Sequence, residues 1–170
     1  MSIGAAPELR EVHIVGLPLA IWARAEEHAD GLLREFALIA ASEARGGEAH
    51  LPRHLLELID ELEADYAGLT VEQQSQLTDA ASRGLDAIDL VYRVPPEILP
   101  ACRRLGDALD AADRYCRDGE YLLTLATPPD ALAFRRWYLG EFIRQIEGQP
   151  AQPWLDWVTE QGVSLRRARR

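Results

Sequence analysis

The sequence predicts a helix-dominated α+β domain in two layers, about five helices over a small three-stranded sheet, with an all-α helical bundle as the alternative. Two observations carry this. Three apolar runs, residues 12–18, 88–96 and 121–129, each end in proline and lead into a helix-patterned segment. Proline fixes its own φ, has no N–H and pushes the preceding residue toward extended geometry, which suits a strand end and the first turn of a helix. The segments between and after these runs carry apolar residues at helical spacing, so the layout reads β-α-α-α-β-α-β-α. Helices between consecutive strands permit parallel pairing with right-handed crossovers.

The first run opens a helix over about 18–45, where Trp22, Ala25, Ala29, Leu32, Leu33, Phe36 and Ile39 recur at threes and fours before Gly46-Gly47 stops it. His13 alternates with Val12 and Ile14 and is expected on the opposite side of the strand. The second helix, about 52–67, has Leu55, Leu58, Ile59 and Leu62 inside and an acidic face of Glu57, Asp60, Glu61, Glu63 and Asp65 outside. Thr70 and Gln73 have capping-box spacing ahead of a third helix, 71–83, which has few apolar anchors.

The fourth helix, about 96–117, has the most regular pattern. Ile98, Cys102, Leu105, Leu109, Ala112 and Cys116 form a seam, with Leu109 expected as a core anchor. Arg103–Asp107, Asp110–Arg114 and Asp113–Arg117 have i,i+4 spacing for ion pairs along its outside. The fifth, about 129–147, is apolar around more than half its circumference and is expected to be central. The proposed organisation is one helix-rich domain, 1–148, and a tail, 149–170, that holds Trp154 and Trp157 and ends in an arginine-rich stretch.

The chain has 170 residues and a net charge of -10, and contains neither lysine nor asparagine. That removes Schiff-base chemistry, a P-loop lysine and N-glycosylation. The acidic balance argues against nucleic acid as a partner of the whole domain. No apolar stretch approaches the ~20 residues of a membrane span, and the first residues lack signal-peptide character, so the expectation is a cytoplasmic protein. Cys102 and Cys116, on one helix and roughly 21 Å apart, cannot form a disulfide and read as buried thiols.

Candidate sites are few. His50 and His54 are four apart, but Pro52 lies between them, so no metal or cofactor is expected there. His28 reads as part of a charged helix face. Arg135, Arg136 and Trp137 form the most unusual local cluster, suited to an anion or a partner, or to a structural ion pair. Glu57, Asp60 and Glu61 offer a docking face for a basic partner, or a solvated surface. Trp154 and Trp157 dock on their own domain or exchange across a dimer.

Residues 9–18 running into 23–28, with 123–129 running into 134–142, resemble small uncharacterised actinobacterial proteins that accompany partner-switching regulators, the anti-sigma factors and their antagonists. The resemblance implies a regulatory protein and transfers no functional residue. The leading expectation is therefore a non-enzymatic regulatory or protein-interaction module that binds a protein partner and self-associates as a dimer. The alternative is a small-molecule sensor with a pocket lined by Trp22, Cys102, Tyr115, Trp137 and Tyr138. An enzyme would show His28 or His54 converging with a carboxylate and a cysteine in one cleft.

Overall fold

The computed structural model describes residues 8–43, 50–118 and 127–163. Among these the chain runs through β1 (Arg10–Pro18), α1 (Leu19–Glu43), α2 (His50–Tyr66), a short 3-10 turn (Ala67–Leu69), α3 (Val71–Ser82), β2 (Ala87–Val94), α4 (Ile98–Asp118), α5 (Pro129–Ile146) and α6 (Trp154–Gln161). The helix-dominated α+β class is therefore present, with six helices where five were expected. The extra one is α6, which begins directly after Pro153. The third expected strand begins at Tyr121, and residues 121–126 lie outside the described residues.

β1 and β2 pair antiparallel, which corrects the parallel arrangement. Parallel sheets need cover on both faces, whereas the described residues cover this sheet on one face. Val12, Ile14, Leu90, Tyr92 and Val94 are buried, while Glu11, His13, Asp89, Val91 and Arg93 face outward. On the open face Arg93 Nε donates to Glu11 Oε1 at 3.2 Å, directly across the ladder.

Between the Ile14↔Leu90 and Leu17↔Ile88 pairs, Val15 and Gly16 together oppose Asp89, so β1 carries a bulge. Gly16 sits there at φ +70°, and its N–H donates to Asp89 Oδ1 at 2.7 Å. A Cβ at this position would meet nothing within 4 Å, so the barrier to a side chain is conformational. Gly16→Ala should cost about 1–2 kcal/mol, the left-handed penalty of an L-residue. Urea denaturation checks this, and a change near zero would mean the bulge relaxes freely.

Among the described residues the sheet has two strands, and both of its edges are closed by glutamines at the same rung, His13↔Val91. Gln145 of α5 accepts from the His13 N–H and donates to its C=O, each at 2.8 Å. Gln73 of α3 donates to the Val91 C=O at 2.6 Å. Side-chain caps of this kind remove the template that an open strand edge offers to another chain. They also correct the expected capping box: Gln73 is buried against β2, and Thr70 makes no side-chain cap to α3.

One core lies under the sheet, between β1, β2, the first half of α1, α3, α5 and α6. A second joins the later half of α1 to α2 and α4 through Phe36, Leu55, Leu58 and Ala112. α5 packs on α1, α4, β1 and α6, the central position its composition suggested. No helix among the described residues is long and apolar enough to cross a membrane.

Candidate functional site

Trp137 is wholly buried, and its Nε1–H donates to the Gln152 carbonyl at 2.9 Å. Trp154 is buried against it, ring centroids 5.3 Å apart, and Trp157 stacks on Trp154 at 5.8 Å. The tail tryptophans thus dock on their own chain, and α6 is held to the body by aromatic packing. The α5 side of this joint is a buried carboxylate: Glu141 Oε2 accepts from the Gln152 N–H and from Gln145 Nε2, both at 2.8 Å.

Arg135 is likewise turned inward. Its side chain is 15% exposed and donates to Asp110 Oδ1 at 2.6 Å and Asp113 Oδ2 at 2.7 Å, both on α4. Of the two readings of the Arg135-Arg136-Trp137 cluster, these contacts are those of the structural ion pair. Arg136 stays on the surface, 3.7 Å from Asp110. On α2, Glu61 forms a two-point bridge with Arg104, at 3.0 and 2.9 Å, while Glu57 and Asp60 point into solvent. His54 is exposed.

The described i,i+4 positions of α4 do not pair along the helix as their spacing suggested. Arg103 instead bonds Glu147, and Asp110 and Asp113 turn to Arg135. The helix faces α5, so the carboxylates beside its seam meet an arginine across the interface. Leu105 and Leu109 of the seam are only half-buried and stand at a cavity, while Cys102, Ala112 and Cys116 are buried.

That cavity, of about 350 Å³, lies between α1, α4 and α5, with α3 and Tyr92 of β2 closing one side. Its walls are mostly apolar: Trp22, Ala25 and Ala29 from α1, Leu105 and Leu109 from α4, Phe134 and Leu139 from α5. Size and lining match a small-molecule site. Of the pocket residues expected from sequence, the structure brings Trp22 and Tyr138 here. Trp137 is in the core, Cys102 opens on a separate surface hollow, and Tyr115 packs edge-on against Phe36 at 5.8 Å.

Polar groups reach the cavity from two sides. On one, Tyr138 O–H donates to Tyr92 Oη at 2.8 Å, leaving the Tyr92 proton free for another acceptor. Burial pushes both phenols above their ordinary range, so both are neutral. Glu26, exposed to solvent at the edge of the cavity, has no hydrogen-bond or ion-pair partner among the described residues. Partial burial, then the neighbouring Asp30 charge, raises its carboxyl.

On the other side, Thr127 Oγ1 bonds both Asp113 Oδ1 and His28 Nε2, the latter at 3.1 Å. The single Thr127 proton goes to the carboxylate, which has none to give, so His28 must donate through Nε2–H. Its Nδ1 is then the free lone pair of the neutral ring. Burial lowers the His28 pKa, the Arg135 charge adds to this, and Asp113 opposes it. At Asp113 burial acts upward, but the Thr127 and Arg135 hydrogen bonds and the guanidinium charge outweigh it and hold the carboxyl below its usual range.

Sequence reasoning missed Asp113, Thr127, Tyr92 and Glu26, and placed His28 on a wet face. Glu26 carried a usable signal, a carboxylate four residues after Trp22 and three before Ala29 on the apolar stripe of α1.

The His28 arrangement has a consequence for stability. Its folded pKa is lowered, so the unfolded chain binds more protons; the contribution is complete above about 6.5 and declines as pH falls toward the folded value. Between about pH 7.5 and about pH 5.5 the parent should lose more stability than His28→Gln, whose amide can still donate to Thr127. Parallel urea titrations test this, and equal losses would contradict the histidine assignment.

His28 thus meets a carboxylate through Thr127, but no cysteine lines the cavity. Burial pushes the Cys102 thiol to about 11 and also raises Cys116, which keeps both protonated and poorly nucleophilic. Among the described residues no cluster of His, Cys, Asp and Glu has metal-site geometry. No family model, curated protein or solved structure matches the chain.

Proposed function

We propose that this protein is a non-enzymatic, cytoplasmic regulatory module that responds to a small molecule held between α1, α4 and α5. The observation that carries the reading is the cavity: apolar walls, neutral phenols on one side and a fixed His28–Thr127–Asp113–Arg135 chain on the other. A few placed polar groups in an apolar recess orient a ligand without providing an activated nucleophile. The implied association with partner-switching regulators fits such a module, because a ligand that binds one conformation shifts a regulatory equilibrium by its differential affinity.

The test is to incubate the protein with a small-molecule extract of its host, remove unbound material and identify what is retained by mass spectrometry. Retention by the parent and loss in Ala29→Phe, which fills the cavity, is the expected result. No retained compound, or equal retention by both proteins, would overturn the reading.

A second reading, docking of a basic protein partner on α2, is favoured by the outward Glu57 and Asp60 carboxylates, which lack partners among the described residues. Glu57→Arg with Asp60→Arg should then abolish capture of that partner while leaving ligand retention intact. Unchanged capture would remove this reading.

A further inference from the structure

The charges around the cavity are unequal, and their imbalance says what kind of molecule it suits. Glu26, Asp110 and Asp113 contribute three carboxylates at or just behind its walls. The guanidinium among its lining residues, Arg135, is held by two of them, and Arg136 reaches Asp110 from outside at 3.7 Å. No lysine exists in the chain to supply another positive group. Among the described residues an anionic ligand would find the Tyr92 O–H as a free donor but no unpaired cation to offset the surplus carboxylate.

The opposite sign is provided for. Glu26 is unpartnered among the described residues and shares the cavity wall with the rings of Trp22, Tyr92, Phe134 and Tyr138. Phe134 and Tyr138 are stacked at 5.7 Å, and Tyr92 stands edge-on to Tyr138 at 6.2 Å, so ring faces and edges are fixed before anything binds. Aromatic faces attract cations through their quadrupoles, most strongly where water is excluded, and a single carboxylate beside them supplies a counter-charge. His28 is neutral and offers a lone pair at Nδ1, which accepts from an N–H or O–H and adds no repulsion.

We propose that the cavity takes an amphiphilic organic cation, an ammonium group on an apolar body, with the charge at Glu26 and the body against Trp22, Leu105, Leu109 and Phe134. This rests on the ligand-pocket reading above. The net charge of -10 would also draw such a molecule toward the protein before it docks.

Three probes with one shared body separate the possibilities: a phenylbutyl trimethylammonium salt, the matching alcohol and the matching carboxylate, each titrated by calorimetry. The cation should bind about tenfold or more tighter than the alcohol, and the carboxylate weakest. Glu26→Gln should remove about tenfold from cation affinity and leave the alcohol unchanged, while Glu27→Gln, the adjacent carboxylate outside the cavity lining, changes neither.

Equal or tighter binding of the alcohol or carboxylate, or no effect of Glu26→Gln, would overturn the cation proposal. The pocket reading would survive those results if Ala29→Phe, or the smaller Ala29→Leu, still abolished alcohol binding. A cation that binds equally to the parent, Glu26→Gln and Ala29→Phe is held by surface charge alone and also overturns the proposal.

Discussion

Trp137→Ala should lower stability by about 3–5 kcal/mol, among the largest effects expected of any single truncation in this chain. The indole is wholly buried, touches Phe134 at 6.0 Å and Trp154 at 5.3 Å between centroids, and satisfies the Gln152 carbonyl. Its removal leaves a cavity, an unpaired carbonyl and an α6 without its main anchor. Against a total of about 5–15 kcal/mol this is a large fraction. Trp157→Ala should cost clearly less, since Trp157 is only half-buried and, among the described residues, meets one other ring, that of Trp154. Urea midpoints at unchanged slope measure both. A loss under about 1 kcal/mol for Trp137→Ala would mean that the C-terminal helix does not depend on this joint.

Arg135→Met should cost about 3–5 kcal/mol near neutral pH, because it leaves Asp113, 5% exposed, without its guanidinium. The effect should depend on pH in a defined direction. In the parent the folded Asp113 pKa is lowered, so its contribution is complete above the unfolded value, about 3.9, and is lost as pH falls through the folded one. In the variant burial acts without the opposing charge and raises the folded pKa, so acid protonates Asp113 and relieves the penalty. The gap between parent and variant should therefore narrow as pH falls. Adding Asp113→Asn should recover part of the loss, since the amide oxygen still accepts from Thr127. A gap that stays constant with pH would mean that Asp113 is not the group left uncompensated.

The helices were legible because their apolar spacing and proline starts are local signals, and α1 to α5 lie within a few residues of their expected limits. The helices between the strands pointed to parallel pairing, although the alternation Ile88, Leu90, Tyr92, Val94 against Asp89, Val91, Arg93 already described a strand with one wet face. Such alternation favours an antiparallel ladder. α6 escaped because Pro150 and Pro153 read as breakers, whereas Pro153 stands where a proline can precede a helix.

The site was less legible than the fold because its residues come together only through packing. Asp113 has a partner at i,i+4 in sequence, Arg117, yet its actual partners, Arg135 and Thr127, come from beyond the end of α4. The Arg135 cluster stood out in sequence with two readings, and the contacts of Arg135 are those of the structural ion pair, which braces the wall of the cavity from within. Trp22 and Tyr138 were identified as pocket residues, while the charges that give the pocket its character lay on segments read as solvated.

The proposed ligand site requires the space between α1, α4 and α5 to be open in the folded protein. A crystal pressurised with xenon tests this without reference to any particular compound, because xenon fills accessible apolar cavities. A xenon peak is expected between Trp22, Leu105, Phe134 and Tyr138, and none there in Ala29→Phe crystals. No peak there, with Leu105 or Leu109 packed directly onto Trp22, would contradict it.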